Sequence, residues 1–245
     1  MNIAIISGAS SGIGFEIAKE IDLLSLDEIW LISSSEQKLL KASEYLKTKT
    51  RIFALNLAKD DAIDVISSAL FEQKPNVKYL VCSAGVGYNG NFEEIDLKQI
   101  SNMTDINVRA LTELTACALP YINEGGKIIE IASSAGFMPQ PSFAVYAATK
   151  AYVISFSRGL KQELLKKKIS VTAVCPGPVD TPFFSGLENV KEYKKRYAVS
   201  PEMVAKKAML ASKKNKALCI PTFSMKMVHL SSKIIPTSII MRFYK

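Results

Sequence analysis

The stretch Asn2-Ile3-Ala4-Ile5-Ile6-Ser7-Gly8-Ala9-Ser10-Ser11-Gly12-Ile13-Gly14 decides how the rest of the chain is read. Its apolar part, Asn2 to Ser7, has the length and continuity of a buried strand. Gly8, Gly12 and Gly14 follow directly and open a segment of helix length. Glycine there lets the backbone turn tightly and lets a pyrophosphate approach the amides of the helix N-terminus. The spacing is Gly-x-x-x-Gly-x-Gly, not the Gly-x-Gly-x-x-Gly of the commonest dinucleotide folds. Alone, such a turn also serves as a plain strand-to-helix connection, so its meaning rests on what accompanies it.

What accompanies it is a regular alternation. Glu28 to Ser33, Arg51 to Leu57, Lys78 to Ser83, Lys127 to Ser133, Ser170 to Cys175 and Ala217 to Ile220 read as further strands, each separated from the next by a helix-length segment. Continuous apolar runs such as Tyr79-Leu80-Val81-Cys82 suit a parallel sheet covered on both faces. The expectation is an α/β fold: an open, doubly wound parallel sheet of about seven strands flanked by helices, in a single domain over residues 1–245. Pro139, Pro141, Pro176, Pro178 and Pro182 fall after strand ends, in loops at the rim where such sheets bind ligands.

Composition narrows the function classes. The chain has 245 residues, 48% of them hydrophobic, enough for one sizeable core. Cys82, Cys117, Cys175 and Cys219 are scattered through apolar stretches without CxxC spacing, which predicts reduced thiols in a cytoplasmic protein. No basic segment precedes the apolar run Ile3 to Ile6, and no stretch of eighteen apolar residues occurs. The net charge of +8 is a C-terminal property: residues 186–245 hold 13 Lys and Arg against 3 Asp and Glu. A solvated basic face accounts for this, and so does attraction to an anionic lipid surface or acidic ligand. No nucleic-acid recognition motif accompanies it.

The chemistry is concentrated in Tyr146-Ala147-Ala148-Thr149-Lys150, with Ser133 thirteen residues upstream at a strand end. Positions i and i+4 share one helix face, so the Lys150 ammonium is expected beside the Tyr146 phenol, favouring its ionised form. The same spacing at Tyr45 and Lys49 lies in a charged helix with no serine-bearing strand end before it, and reads as surface. The lone histidine, His229, sits far from these motifs and reads as packing or surface. With no clustered cysteines, no metal site is expected. About twenty residues beyond the glycine turn, where an acidic residue would hold a ribose 2′-hydroxyl, the chain has Ser33-Ser34-Ser35. Hydroxyls donate to a 2′-phosphate that a carboxylate would repel, so NADP(H) is favoured over NAD(H). Lys38 is the candidate for the matching charge.

Taken in order from Asn2 to Pro182, these motifs resemble the short-chain dehydrogenase/reductase family. The resemblance implies a Rossmann-like sheet of order 3-2-1-4-5-6-7, hydride transfer between a carbonyl and an alcohol at the carboxyl ends of the strands, and a homodimer or homotetramer. It implies a catalytic set of Asn107, Ser133, Tyr146 and Lys150. Ser133 orients the carbonyl oxygen, Tyr146 is the acid/base, Lys150 lowers the Tyr146 pKa and holds the nicotinamide ribose, and Asn107 holds a water. Cofactor contacts are implied for Gly8, Ser10, Ser11, Gly12, Ile13, Gly14, Ser33, Ser34, Asn56, Leu57, Ala84, Gly85, Tyr146 and Lys150, and for Pro176, Gly177, Val179 and Thr181 in the Pro-Gly segment.

Two departures stand out. Cys82-Ser83-Ala84-Gly85 replaces the family's Asn-Asn-Ala-Gly, so weaker bracing of the central sheet is expected, and Asn56 stands where an Asp is common. Residues 182–200 are expected to form the substrate loop, with apolar Phe183, Phe184 and Leu187 suiting a hydrophobic or lipid-like substrate. Residues 222–245 are expected to be a basic, apolar tail, interrupted at Pro236, that packs on its own domain or on another subunit, with peripheral membrane contact as a further reading. The rival function is a catalytically silent NADP(H)-binding sensor or assembly partner.

Overall fold

The computed structural model describes residues 1–185 and 197–242. Seven parallel strands form one sheet: β1 (Asn2–Ser7), β2 (Glu28–Ser33), β3 (Thr50–Ala54), β4 (Asn76–Cys82), β5 (Lys127–Ile131), β6 (Ser170–Val174) and β7 (Leu218–Cys219), in the spatial order β3-β2-β1-β4-β5-β6-β7. Sequence-read strands and observed strands coincide to within about three residues at each end, the differences lying where strands run into rim loops.

Alternation along each strand sorts its side chains between two cores. Ile3, Ile5, Trp30, Ile32, Leu80, Cys82 and Ile128 point to one face. There they meet α3 (Ala62–Gln73), α5 (Leu111–Ala118) and α6 (Ala144–Glu163) through Ile66, Leu70, Leu111, Leu114, Val153 and Leu160. Ala4, Ile6, Ile29, Leu31, Val81, Ile129 and Val174 point to the other, against Ile17 and Ile21 of α1 (Gly12–Asp22) and Val204 and Ala208 of α8 (Pro201–Lys213). Burial on both faces is why these strands read as continuous apolar runs rather than alternating ones. The remaining α-helices among the described residues are α2 (Glu36–Ser43), α4 (Leu97–Thr104), the short α7 (Pro182–Ser185), α9 (Phe223–Ile234) and α10 (Thr237–Arg242). Pro236 separates the last two, as its missing N–H requires.

The chain runs outward from β1 to β3, then restarts on the other side of β1 with β4. That reversal leaves a crevice at the carboxyl ends of β1 and β4, the place where open α/β sheets take ligands. Among the described residues no helix is long and apolar enough to cross a membrane.

Candidate active site

The turn after β1 and the end of β4 are locked together by a residue the sequence motifs did not single out. The Ser7 hydroxyl accepts from the backbone N–H of Ser83 at 3.1 Å and of Ala84 at 3.2 Å. Gly8 has φ +66°, and a Cβ there would lie 2.7 Å from the Ala84 nitrogen, so only glycine lets the two segments meet. Cys82 packs in the core in place of an asparagine, and Ser7 supplies bracing that the motif comparison expected to be weakened. Gly14 is buried below the turn, where a side chain would run into the Gly8 carbonyl oxygen. It closes helix against strand and is not part of the cleft lining.

Ser11 stands at the N-cap of α1, its side chain making no capping bond, so the first-turn amides of this helix keep their donor capacity. Ser10 and Ser33 share a hydrogen bond at 2.9 Å across the crevice. Ser33 and Ser34 line the cleft, whereas Ser35 caps α2, accepting from Lys38 N at 3.4 Å. Asn56 lines the cleft too, with its Oδ1 accepting from Ala58 N at 3.1 Å.

At the other end, Ser133 follows β5 and accepts from Ala135 N at 3.1 Å, which fixes its rotamer at the start of a short turn over Ser134–Phe137. Tyr146, in the first turn of α6, is buried between Phe143, stacked at 4.3 Å, and Phe183 at 5.6 Å. One turn on, Lys150 is buried with its Nζ donating to the Ile131 carbonyl at 2.9 Å and lying 5.6 Å from the Tyr146 ring centre. Burial pushes the Tyr146 phenol up to about 12, and a hydrogen bond with Ser133 is what opposes it. The Lys150 ammonium is aimed at the Ile131 carbonyl, and burial pulls its own pKa down to about 8.

Asn107 lies in a π-helical turn, Asp105–Ala110, and is fully buried behind the cleft wall. Its Nδ2 donates to the Val86 carbonyl at 2.8 Å and to Thr149 Oγ1 at 3.1 Å, and its Oδ1 accepts from Val86 N at 2.9 Å. Both amide hydrogens are committed, so a water can bond only to the remaining lone pair of Oδ1.

One cleft of about 1010 Å³ joins these ends. It is lined by Gly8, Ser10, Ser11, Gly12 and Ile13 at one end, by Ser133, Tyr146 and Lys150 at the other, and by Leu57, Ala84, Gly85, Pro176, Gly177, Val179 and Thr181 between. Its remaining walls mix apolar Met138, Phe143, Phe183, Met225 and Val228 with polar Asn89, Asn91, Glu94, Gln140 and Ser142. Met225 and Val228 come from α9, which packs against the rim of the cleft; His229 in the same helix meets Phe137 at a tilt, ring centres 4.4 Å apart. Of the expected substrate loop 182–200, residues 186–196 lie outside the described residues, as do 243–245 of the tail.

Residues 2–191 match the family model for short chain dehydrogenases. The chain belongs to that family. It is 31% identical over 188 residues to an uncharacterized oxidoreductase of Staphylococcus epidermidis, spanning 76% of this chain and 81% of the relative. It is 33% identical over 183 residues to the very-long-chain 3-oxoacyl-CoA reductase of Rattus norvegicus, spanning 71% of this chain and 58% of that protein. A short-chain dehydrogenase from Sphingobium yanoikuyae in complex with NADPH superposes with a TM-score of 0.82 at 23% identity, over 96% of this chain and 94% of its own. The protein is thus an oxidoreductase of the short-chain dehydrogenase family.

The buried lysine makes stability depend on pH. Between about pH 8, its pKa in the folded state, and the ordinary 10.5, the unfolded chain holds a proton that the folded chain has released, so the contribution of this lysine to stability rises with pH across that window. Urea unfolding at both ends of the window should show the wild type gaining on Lys150→Met as pH rises; a constant difference would mean that Lys150 is not held in a charge-disfavouring site.

Proposed function

We propose that the protein is an NADP(H)-dependent oxidoreductase that interconverts a carbonyl and an alcohol on a hydrophobic, lipid-like substrate. The observation that carries this reading is Tyr146 lining a cleft together with Ser133, one helical turn from Lys150, while the other end of that cleft is a glycine turn on a helix N-terminus.

The residues fit a dinucleotide. Backbone approach at Gly8 and the uncapped amides of α1 suit a pyrophosphate. Ser33 and Ser34, with no carboxylate beside them on β2, suit a 2′-phosphate, and the bound NADPH of the Sphingobium yanoikuyae structure supports the same choice. When bound, a nicotinamide supplies or accepts the hydride. Ser133 then orients the carbonyl oxygen and Tyr146 gives it a proton. A phenol whose pKa is near 12 gives up that proton only if the resulting charge is met, so Lys150 must turn from the Ile131 carbonyl toward Tyr146 or the ribose as the cleft fills. Asn107 holds the Val86 backbone in place and keeps one lone pair for a relay water.

The apolar walls Met138, Phe143, Phe183, Met225 and Val228 support an apolar substrate, as does the activity named for the rat relative. The outer face of α9 extends this reading. Phe223, Met227, Leu230 and Ile234 recur at i, i+4, i+7 and i+11 and are 76%, 46%, 51% and 71% exposed, an unbroken apolar stripe beside Lys226 and Lys233. No acidic residue follows Glu202 in the sequence. A second copy docked on this stripe about a two-fold axis would bring those lysines against their own equivalents, whereas an anionic lipid surface is complementary to them. We infer that α9 rests on such a surface while its inner face forms the cleft wall. Free cysteines suit a cytoplasmic setting. Exposed Leu97 on α4 and Tyr152 on α6 suit association into a homodimer or homotetramer.

NADPH oxidation against a panel of aldehydes, ketones, quinones and 3-oxoacyl thioesters should give turnover with the more apolar carbonyls, and a higher kcat/KM for NADPH than for NADH. Tyr146→Phe should cut turnover by roughly 10²- to 10⁴-fold with cofactor binding kept; unchanged turnover would remove Tyr146 from its role. Vesicles containing phosphatidylserine should sediment the protein in a salt-sensitive way that Phe223→Ser with Leu230→Ser abolishes. Equal, weak sedimentation with neutral and anionic vesicles would dismiss the surface contact.

A further inference from the structure

Glu130 is a carboxyl group in the middle of the sheet. It is fully buried on β5, on the face that carries α5 and α6, with Cys82 of β4 as its register partner. Thr115 Oγ1 on α5 lies 3.0 Å from its Oε1, and Oε2 has no partner. The Thr115 hydroxyl has one hydrogen and also lies 2.8 Å from the Leu111 carbonyl of its own helix, which can only accept. That one hydrogen serves either acceptor: given to Glu130 it meets an ionised Oε1, and given to Leu111 it leaves the Thr115 oxygen free to accept from a protonated Oε1, so the contact accommodates a neutral Glu130. An unpartnered Oε2 fits this state, since leaving a carbonyl oxygen bare costs far less than leaving a carboxylate oxygen bare.

The residue next to Glu130 holds the active-site lysine: Lys150 Nζ donates to the Ile131 carbonyl. We propose that Glu130 is the positioning residue that sets the charge of Lys150, serving as its internal counter-ion when it ionises. Burial drives the two groups toward each other's range, pushing Glu130 up to about 8 and pulling Lys150 down to about 8. The negative charge of Glu130 is the largest influence restoring the lysine's proton. The other titratable groups facing the pair are Cys82 from β4, Cys117 and, at the helix surface, Glu113 from α5, Tyr146 from α6 and Cys175 after β6. Burial holds all three thiols and the phenol well above neutrality, so near pH 8 the exchange of charge is between Glu130 and Lys150.

The inference rests on the reductase reading insofar as Lys150 must be cationic for turnover. The test is the pH profile of kcat/KM for carbonyl reduction in the wild type, Glu130→Gln and Thr115→Val. Removing the counter-ion should move the alkaline limb to lower pH by about one unit in E130Q, with the KM for NADPH unchanged at neutral pH. Thr115→Val removes the hydroxyl that donates to Glu130 once it is ionised, disfavouring the counter-ion, and should move the limb the same way by less, which keeps the test alive if E130Q does not fold. Infrared titration of the wild type without substrate should show a protonated-carboxyl stretch at neutral pH that fades above pH 8 and is missing from folded E130Q. Alkaline limbs that superimpose on the wild type, or a carboxylate already ionised at neutral pH, would leave Glu130 as a packing residue and overturn the proposal. A wild type that reduces no carbonyl at all would instead defeat the reductase reading, with the infrared titration still deciding the state of Glu130.

Discussion

A lysine ammonium nearly buried in the wall of the cleft is the constraint around which the site is organised. Burying a cation is costly unless it is hydrogen-bonded and electrostatically compensated, and Lys150 has the Ile131 carbonyl, the carboxyl of Glu130 and the face of the Tyr146 ring to meet it. That bond ties the first turns of α6 to the carboxyl end of β5. It thereby places Tyr146, one turn earlier on the same helix, beside Ser133, the second residue after β5. The candidate catalytic side chains are positioned by a sheet end and a helix, the most rigid parts of the fold, with Phe143 and Phe183 packed against Tyr146.

The other half of the cleft depends on topology. Because β4 returns to pair with β1, the glycine turn after β1 faces the Ala84-Gly85 backbone, and Ser7 ties the two with a single hydroxyl. This arrangement was largely legible in advance. Continuous apolar strands, glycines directly after the first of them, and a Ser, Tyr and Lys in order each report local rules, and local rules are what a single chain displays. The strand order came from the family resemblance rather than from any period in the residues, and the sheet has that order.

What was not legible lies where distant elements meet. Met225 and Val228 become cleft walls only because α9 folds back onto the turn after Ser133, and no spacing in the tail announces that. Ser7 reads as the last residue of a strand until β4 is set beside it. Gly14 belongs to the same motif as Gly8 yet serves the packing of helix on strand. Glu130 was visible as one acid in an apolar strand, but its meaning requires Thr115, Cys82 and Lys150, which lie on three other elements. The bond of the Lys150 ammonium to the Ile131 carbonyl was not legible either, because it joins a helix to the end of a strand that the motif spacing does not connect.

The central claim is that hydride passes within this cleft to a carbonyl carbon held at Tyr146. It is tested most directly by incubating the protein with NADPH carrying deuterium on one face of nicotinamide C4 and with a ketone, then locating the label by mass spectrometry and NMR. The account predicts an alcohol carrying one deuterium at the carbinol carbon, delivered from one face of the ring only. An alcohol without label, or no alcohol from any carbonyl supplied, would contradict it.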